Sequence, residues 1–234
     1  MLATRILHQR SLLVHRSYCP SCKHTISWYD NIPLLSYLLL KAKCRSCKAR
    51  ISLLYPATEL IAGFLAVALY SITTDPYTYV AYTVFFSGLL AATRTDIEAM
   101  LIPQTFSLGI IPLGLTAAWF GIIQVSLLES ALGALCGYGL LWAIAKIFLF
   151  ATKREGMGAG DYDLLAGIGA WLGPLGIWLT LMIASCTGTV VGLVYLYCTN
   201  KARATRIPFG PFLAAGAIIY IFFRTLLLSL FIIP

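Results

Sequence analysis

Six residues of this chain have the types and spacing to do chemistry. Asp96, in "ATRTDIEAMLIP", and Asp161, in "GMGAGDYDLLAG", each stand at the edge of a long apolar run. Two carboxylates that approach each other at a partly dry boundary cannot both ionise easily. They share a proton and activate water, one acting as base and the other as acid. Gly156, Gly158 and Gly160 precede Asp161. They allow backbone conformations closed to other residues and let an extended substrate pass beside the carboxylate. A second reading needs no substrate: the loop is plain, and Asp161 caps the helix that follows. The residues alone leave both open.

The other four are Cys19 and Cys22 in "CPSC" and Cys44 and Cys47 in "CRSC", with 21 residues between the pairs. Each CxxC knuckle presents two thiolates, and two knuckles complete one tetrahedral zinc site. The segment has too few apolar residues for a full core, so a structural metal would supply folding energy. Four reduced, unliganded thiols are the alternative. His24 is a candidate fifth ligand, but a His beside a knuckle is more often a surface residue, and four thiolates already complete the site. Between the pairs, "NIPLLSYLLLKAK" (31–43) either lies on a membrane surface or packs against the metal module.

The elements that must position these groups are membrane helices. Of the 234 residues, 59% are hydrophobic and 11% charged, against about 25% charged in soluble domains. Continuous apolar runs predict helical spans over 57–73, 77–93, 101–121, 126–150 and 208–232. Residues 164–198 are too long for one span and split at Gly173-Pro174. The fold class is an all-α polytopic membrane protein with about seven transmembrane helical elements. A small zinc-binding module (1–52) precedes a membrane-embedded domain (53–234). Nine of the 17 Lys/Arg fall in residues 1–50. With that end cytoplasmic, the outer loops carry none, and Arg224 alone breaks the pattern. The net charge of +8 therefore reports topology and contact with the lipid bilayer, not a nucleic-acid partner. Cytosolic, reducing surroundings favour zinc over disulfides.

Of the remaining acids, Asp30, Asp75, Glu129 and Glu98 read as solvated, and Glu155 as paired with Lys153 or Arg154. Glu59, in "YPATELIAG", either contacts a substrate amine or cofactor, or is a carboxylate favoured by a helix N-terminus. Cys136, Cys186 and Cys198 read as buried small hydrophobes.

"GMGAGD" with "LLAGIGAWLGP", the two CxxC pairs, "NIPLLSYLLL", "ISLLYPATELIAG" and "IPFGPFLAAG" occur in one order from about residue 19 to 216. In this the chain resembles the bacterial type IV prepilin peptidase family of GxGD-type intramembrane aspartyl proteases. The resemblance implies that Asp96 and Asp161 are catalytic. It implies cleavage of the short basic leader of prepilin or pseudopilin substrates at the cytoplasmic face of the inner membrane. It further implies N-methylation of the new terminus with S-adenosylmethionine, with Glu59 as a possible contact. Asp163 stands where the family often has lysine, and Gln104 where it usually has an acid or amide after the Pro. The family's opening apolar span, with its Gly-Ser-Phe-Leu-Asn-like end, would precede Met1; residues 1–18 are amphipathic and too polar to cross. Its loss would weaken methylation more than cleavage. The competing readings are a peptidase without methyltransferase activity and a proton-coupled transporter or scaffold. Neither the oligomeric state nor the particular pilus, secretion or competence substrate is encoded in these patterns.

Overall fold

A computed structural model of the chain describes residues 18–199 and 207–231. The amphipathic stretch 1–17 and the basic residues 201–206 lie outside the described residues. The chain divides into two compact units, residues 1–71 and 72–234. The boundary expected at 52/53 marks the entry into the first apolar helix.

In the first unit, a 3-10 turn over Trp28–Asn31 and helix α1 (Leu35–Leu39) separate the two knuckles. Helix α2 (Leu54–Ile72) follows, and within it only Leu65 and Leu69 are buried. An apolar helix with so few protein neighbours presents its side chains to lipid.

The second unit holds α3 (Pro76–Ala99), α4 (Gln104–Ser107), α5 (Ile110–Trp119), α6 (Leu127–Thr152), α7 (Ala159–Thr199) and α8 (Gly210–Phe231). Among the described residues, α2, α6, α7 and α8 are long and apolar enough to cross a membrane. Asp75 starts α3 by accepting from the Thr78 N–H at 2.8 Å, with Pro76 in the first turn. Ser126 and Glu129 form a capping box at α6, through bonds of 2.8 and 3.2 Å. Both acids expected to be merely solvated therefore begin helices. The single span expected over 101–121 is broken into α4 and α5. Pro103 delays its start, and a side chain on Gly109 would run into the Thr105 carbonyl at 2.2 Å. Helix α5, ten residues long, extends only about 15 Å.

Residues 159–199 form two helical arms that meet at Gly173, where the axis reverses. Gly173 takes φ 71° and ψ −178°, because Pro174 excludes the helical conformation from the residue before it. Gly173 lies beside Val125 and Glu129 at the start of α6, whereas Gly188 lies beside Phe209 and Phe212 at the start of α8. Residues 159–172 thus run one way and 174–199 return, as the Gly173-Pro174 split predicts. Among the described residues, seven helical elements follow the tetracysteine segment: α2, α3, the α4–α5 pair, α6, the two arms of α7, and α8.

The first arm of α7 is the core of this unit, with every residue from Leu164 to Leu172 buried. Its neighbours approach on glycines. A Cβ on Gly133 would lie 2.1 Å from the Gly169 carbonyl oxygen, and one on Gly169 2.2 Å from that of Gly133. Gly137 meets Leu165, Gly114 meets Ala170, and Gly167 meets Ser107 in the same way. Such small-residue contacts are how helices pack where lipid supplies no hydrophobic drive. Ser130 donates to the Ala170 carbonyl at 2.5 Å, Trp171 Nε1 donates to that of Ile110 at 2.9 Å, and the Trp171 ring stacks on Phe85 at 4.8 Å. Cys136, Cys186 and Cys198 are exposed, because the core is filled from α7's first arm and they face outward.

Gly133→Val should destabilise the folded unit by about 1–3 kcal/mol or more, since overpacking here meets backbone. Gly139→Val, on the same helix with nothing within 4 Å of its Cβ position, should be near neutral. Thermal unfolding in one detergent compares the two; equal losses would contradict the packing described.

Candidate active site and metal centre

Asp96 occupies the last turn of α3 and is buried. Helix α3 ends four residues later, where Met100 adopts φ 52° and donates its N–H to the Asp96 carbonyl at 2.8 Å. A carboxylate there faces the negative end of its own helix dipole. The opposite end of another helix offsets this: the Gly210 N–H, at the first residue of α8, donates to Asp96 Oδ2 at 2.8 Å. Only glycine permits it, since a Cβ at 210 would stand 2.8 Å from that same oxygen.

Asp161 lies in the first turn of α7, which begins at Ala159, not in the loop before it. That helix N-terminus favours its charge. The preceding glycines do not act through unusual backbone angles, for none of Gly156, Gly158 and Gly160 lies in the left-handed region. Close approach is the reason at two of them. A Cβ on Gly156 would meet the Phe148 ring at 2.6 Å, and one on Gly160 the Ile102 Cβ at 2.9 Å. Gly158 borders the Asp161 carboxylate with room for a methyl group, 3.8 Å from Oδ2.

Ile102 joins the two acids' surroundings. Buried itself, it touches the Gly160 position and, through Cδ1, lies 3.1 Å from a Cβ at Gly210. Asp96 and Asp161 therefore come to the same end of the helices, within electrostatic range of each other. Thr93, one turn before Asp96, buries its hydroxyl oxygen without a hydrogen-bond partner. Gly210, Ile102 and Thr93 escaped the sequence reading. Only Gly210 left a signal, as the glycine between Phe209 and Pro211. Glu98 is not simply solvated: the buried Arg94 holds its Oε1 through bonds of 2.6 and 3.1 Å. Gln104 begins α4 exposed to its surroundings, and Asp163 is half-buried on α7.

The four cysteines of the first unit meet at one point. Their sulfurs all lie within 4.8 Å of one another, and those of Cys19 and Cys47 are 3.8 Å apart. A tetrahedral zinc with bonds of about 2.3 Å sets its sulfurs about 3.8 Å apart, so the cluster can hold zinc. The knuckles repeat one fold. Lys23 N–H donates to the Cys19 carbonyl at 2.8 Å and Lys48 N–H to the Cys44 carbonyl at 3.1 Å, with φ of 56° and 60° at the two lysines. The backbone N–H of Cys22, aided by that of Ser21, pulls the Cys19 thiol down to about 6 against the effect of burial. Cys47 moves the opposite way: although the Ala49 N–H lowers it, burial and the sulfurs of Cys22, Cys44 and Cys19 push its thiol up to about 11, so the cluster holds its thiolate on Cys19 and a proton on Cys47. His24 stands outside the set and gives Cys19 only its carbonyl, at 2.9 Å. Arg45 reaches from the second knuckle to Asp30 with two bonds of 2.7 and 2.6 Å, which holds the Asp30 carboxyl below its usual range. Asp30 is thus a tie within the module. Glu59 accepts from the Leu34 N–H at 2.9 Å, anchoring the start of α1 to α2.

These features define a class: a polytopic helical membrane protein with two acids, one buried and one half-buried, at one end and a tetracysteine module. The chain belongs to the type IV leader peptidase family. The model of that family matches residues 83–193, and that of the bacterial peptidase A24 N-terminal domain matches residues 1–73. Among its relatives, a prepilin leader peptidase/N-methyltransferase of Aeromonas salmonicida is 39% identical over 204 residues, covering 87% of this chain and 70% of the relative. One of the same description from Pseudomonas aeruginosa is 40% identical over 208 residues, with the same two shares. A type 4 prepilin-like proteins leader peptide-processing enzyme of Escherichia coli O78:H11 is 35% identical over 216 residues, covering 92% and 78%. No solved structure matches the chain.

The purified protein should carry about one zinc per chain, lowered in Cys19→Ser and Cys44→Ser. A metal-free preparation whose first unit stays folded would contradict the assignment. Gly210→Ala should displace the Asp96 carboxylate and reduce cleavage of a prepilin at least about tenfold without unfolding the chain, an estimate from the cost of misplacing a reacting group. Unchanged turnover would show that the contact does not position Asp96.

Proposed function

We propose that this chain cleaves the leader of prepilin-like substrates with Asp96 and Asp161 as catalytic dyad. The observation that supports this best is the convergence of the two acids around Ile102, with Asp96 fixed by the Gly210 N–H. A dyad sharing one proton holds water between its carboxyls. The ionised carboxylate takes a proton from that water as its oxygen attacks the scissile carbonyl carbon. The protonated carboxyl gives its proton to the carbonyl oxygen. Collapse of the tetrahedral intermediate breaks the C–N bond, and the departing nitrogen takes a proton from the dyad. The products are the leader's carboxylate and a new N-terminal amine. The open space at Gly158 gives an extended backbone a path beside Asp161.

N-methylation of that amine is the second activity, with S-adenosylmethionine supplying the methyl group when bound. Glu59 suits a contact to the amine or to a ribose hydroxyl, because only one of its oxygens is committed, to Leu34. Zinc has a structural role: it closes the module and takes no part in hydrolysis. The module (1–52) acts as a domain apart from the membrane-embedded peptidase (53–234). The protein sits in the bacterial inner membrane with the module and dyad facing the cytoplasm, an orientation that the clustering of basic residues in 1–50 supports.

Asp96→Asn and Asp161→Asn should each lower cleavage at least about 100-fold, the scale of lost acid–base catalysis, with insertion and zinc content unchanged. Incubation with a prepilin and S-adenosylmethionine, followed by mass analysis of the new N-terminus, reads cleavage and methylation separately. Substantial cleavage by either inserted variant would overturn the dyad.

A further inference from the structure

The first unit exposes several apolar side chains in the stretch that leads into α2. Trp28 is 81% exposed, Leu38 71%, Leu39 72% and Leu53 73%, with Leu35 half-exposed beside them. These side chains do not pack against the tetracysteine site. Leu35, Leu38 and Leu39 belong to helix α1, five residues long with none of them buried, and Trp28 to the 3-10 turn before it. Their depth is fixed by the bond from the Leu34 N–H to Glu59 Oε2 at 2.9 Å. Glu59 is the sixth residue of α2, about 8 Å along its axis at 1.5 Å per residue. Helix α2 is itself long and apolar enough to cross a membrane. The apolar surface therefore stands level with the first turns of a span, where a headgroup layer roughly 5–8 Å thick lies.

The charges beside it are of one sign. Residues 18–53 contain six basic side chains and one acid, a balance of 6 − 1 = +5. A zinc tetrathiolate would remove two of those charges. The single acid, Asp30, is occupied by Arg45. Lys23, Lys41, Lys43, Lys48 and Arg50 are exposed, and none forms an ion pair with a described residue. Apolar side chains at interface depth, flanked by unpaired cations, match a bilayer surface carrying anionic lipid.

We propose that the tetracysteine module is docked on the anionic leaflet through Trp28, Leu35, Leu38 and Leu39, with Lys41 and Lys43 on lipid phosphates. The occupant is lipid, not substrate and not a second copy of the chain.

The test uses the full zinc-loaded chain in nanodiscs of phosphatidylcholine with photoreactive phosphatidylglycerol, and maps lipid adducts by mass spectrometry. Residues 28–40 should carry adducts. Leu38→Glu/Leu39→Glu should lower them about tenfold while leaving zinc content and the adducts on α6 unchanged. Lys41→Gln/Lys43→Gln should lower them when the photoreactive lipid is anionic and not when it is a phosphatidylcholine. Should the glutamate pair lose zinc, Trp28→Gln reads the same loss with the α1 leucines intact. An absence of adducts on 28–40 would overturn the proposal, as would equal labelling in all variants. So would displacement of the adducts by a prepilin, or their replacement by chain-to-chain links.

Discussion

The structure of the membrane unit depends on backbone meeting backbone between α6 and the first arm of α7. With Gly133 and Gly169 facing each other, neither position tolerates a Cβ. That contact lets a short helix be buried on all sides although each of its neighbours is thick with Leu, Ile and Phe. Gly114 and Gly167 repeat the device toward α5 and α4. Because lipid is as apolar as these side chains, the cohesion comes from close van der Waals contact and from bonds such as Ser130 to the Ala170 carbonyl. The arm begins at Ala159, so its first turn carries Asp161 on the helix that is buried from Leu164 to Leu172.

The second acid is held by a different principle. Asp96 lies at the wrong end of its own helix for a negative charge, and the N-terminus of α8 compensates through one N–H. The Phe-Gly-Pro sequence around Gly210 serves this. Glycine admits the carboxylate, and Pro211, in the first turn of α8, needs no hydrogen-bond partner for its nitrogen. The Asp96 carboxylate is thus placed by a backbone N–H and not by a cation, which would fix its charge. The nearby cation, Arg94, is engaged by Glu98.

Much of this was legible in the sequence. The apolar runs marked the helical elements, Gly173-Pro174 marked the reversal, and the CxxC spacing marked a four-sulfur cluster. Periodicity says nothing about which helix is central, so the role of 159–172 and the breaking of 101–121 at Gly109 emerged only from packing. The glycines before Asp161 suggest conformational freedom and room for a passing chain; their backbone is ordinary, and at Gly156 and Gly160 small size matters against Phe148 and Ile102. Gly210 and Asp96 are 114 residues apart, and no local pattern links them. The same is true of Asp30 with Arg45 and Leu34 with Glu59, where a charge or a loop N–H found its partner through the fold.

The central claim is that Asp96 and Asp161 form one site. It is tested most directly by replacing both with cysteine, in a chain whose Cys136, Cys186 and Cys198 are serine, and treating membranes with a short thiol-to-thiol cross-linker. The account predicts a linked peptide pair joining positions 96 and 161, formed in preference to links with the four cysteines of the module. If both cysteines react with a monofunctional reagent yet no such pair forms, the acids do not share a site.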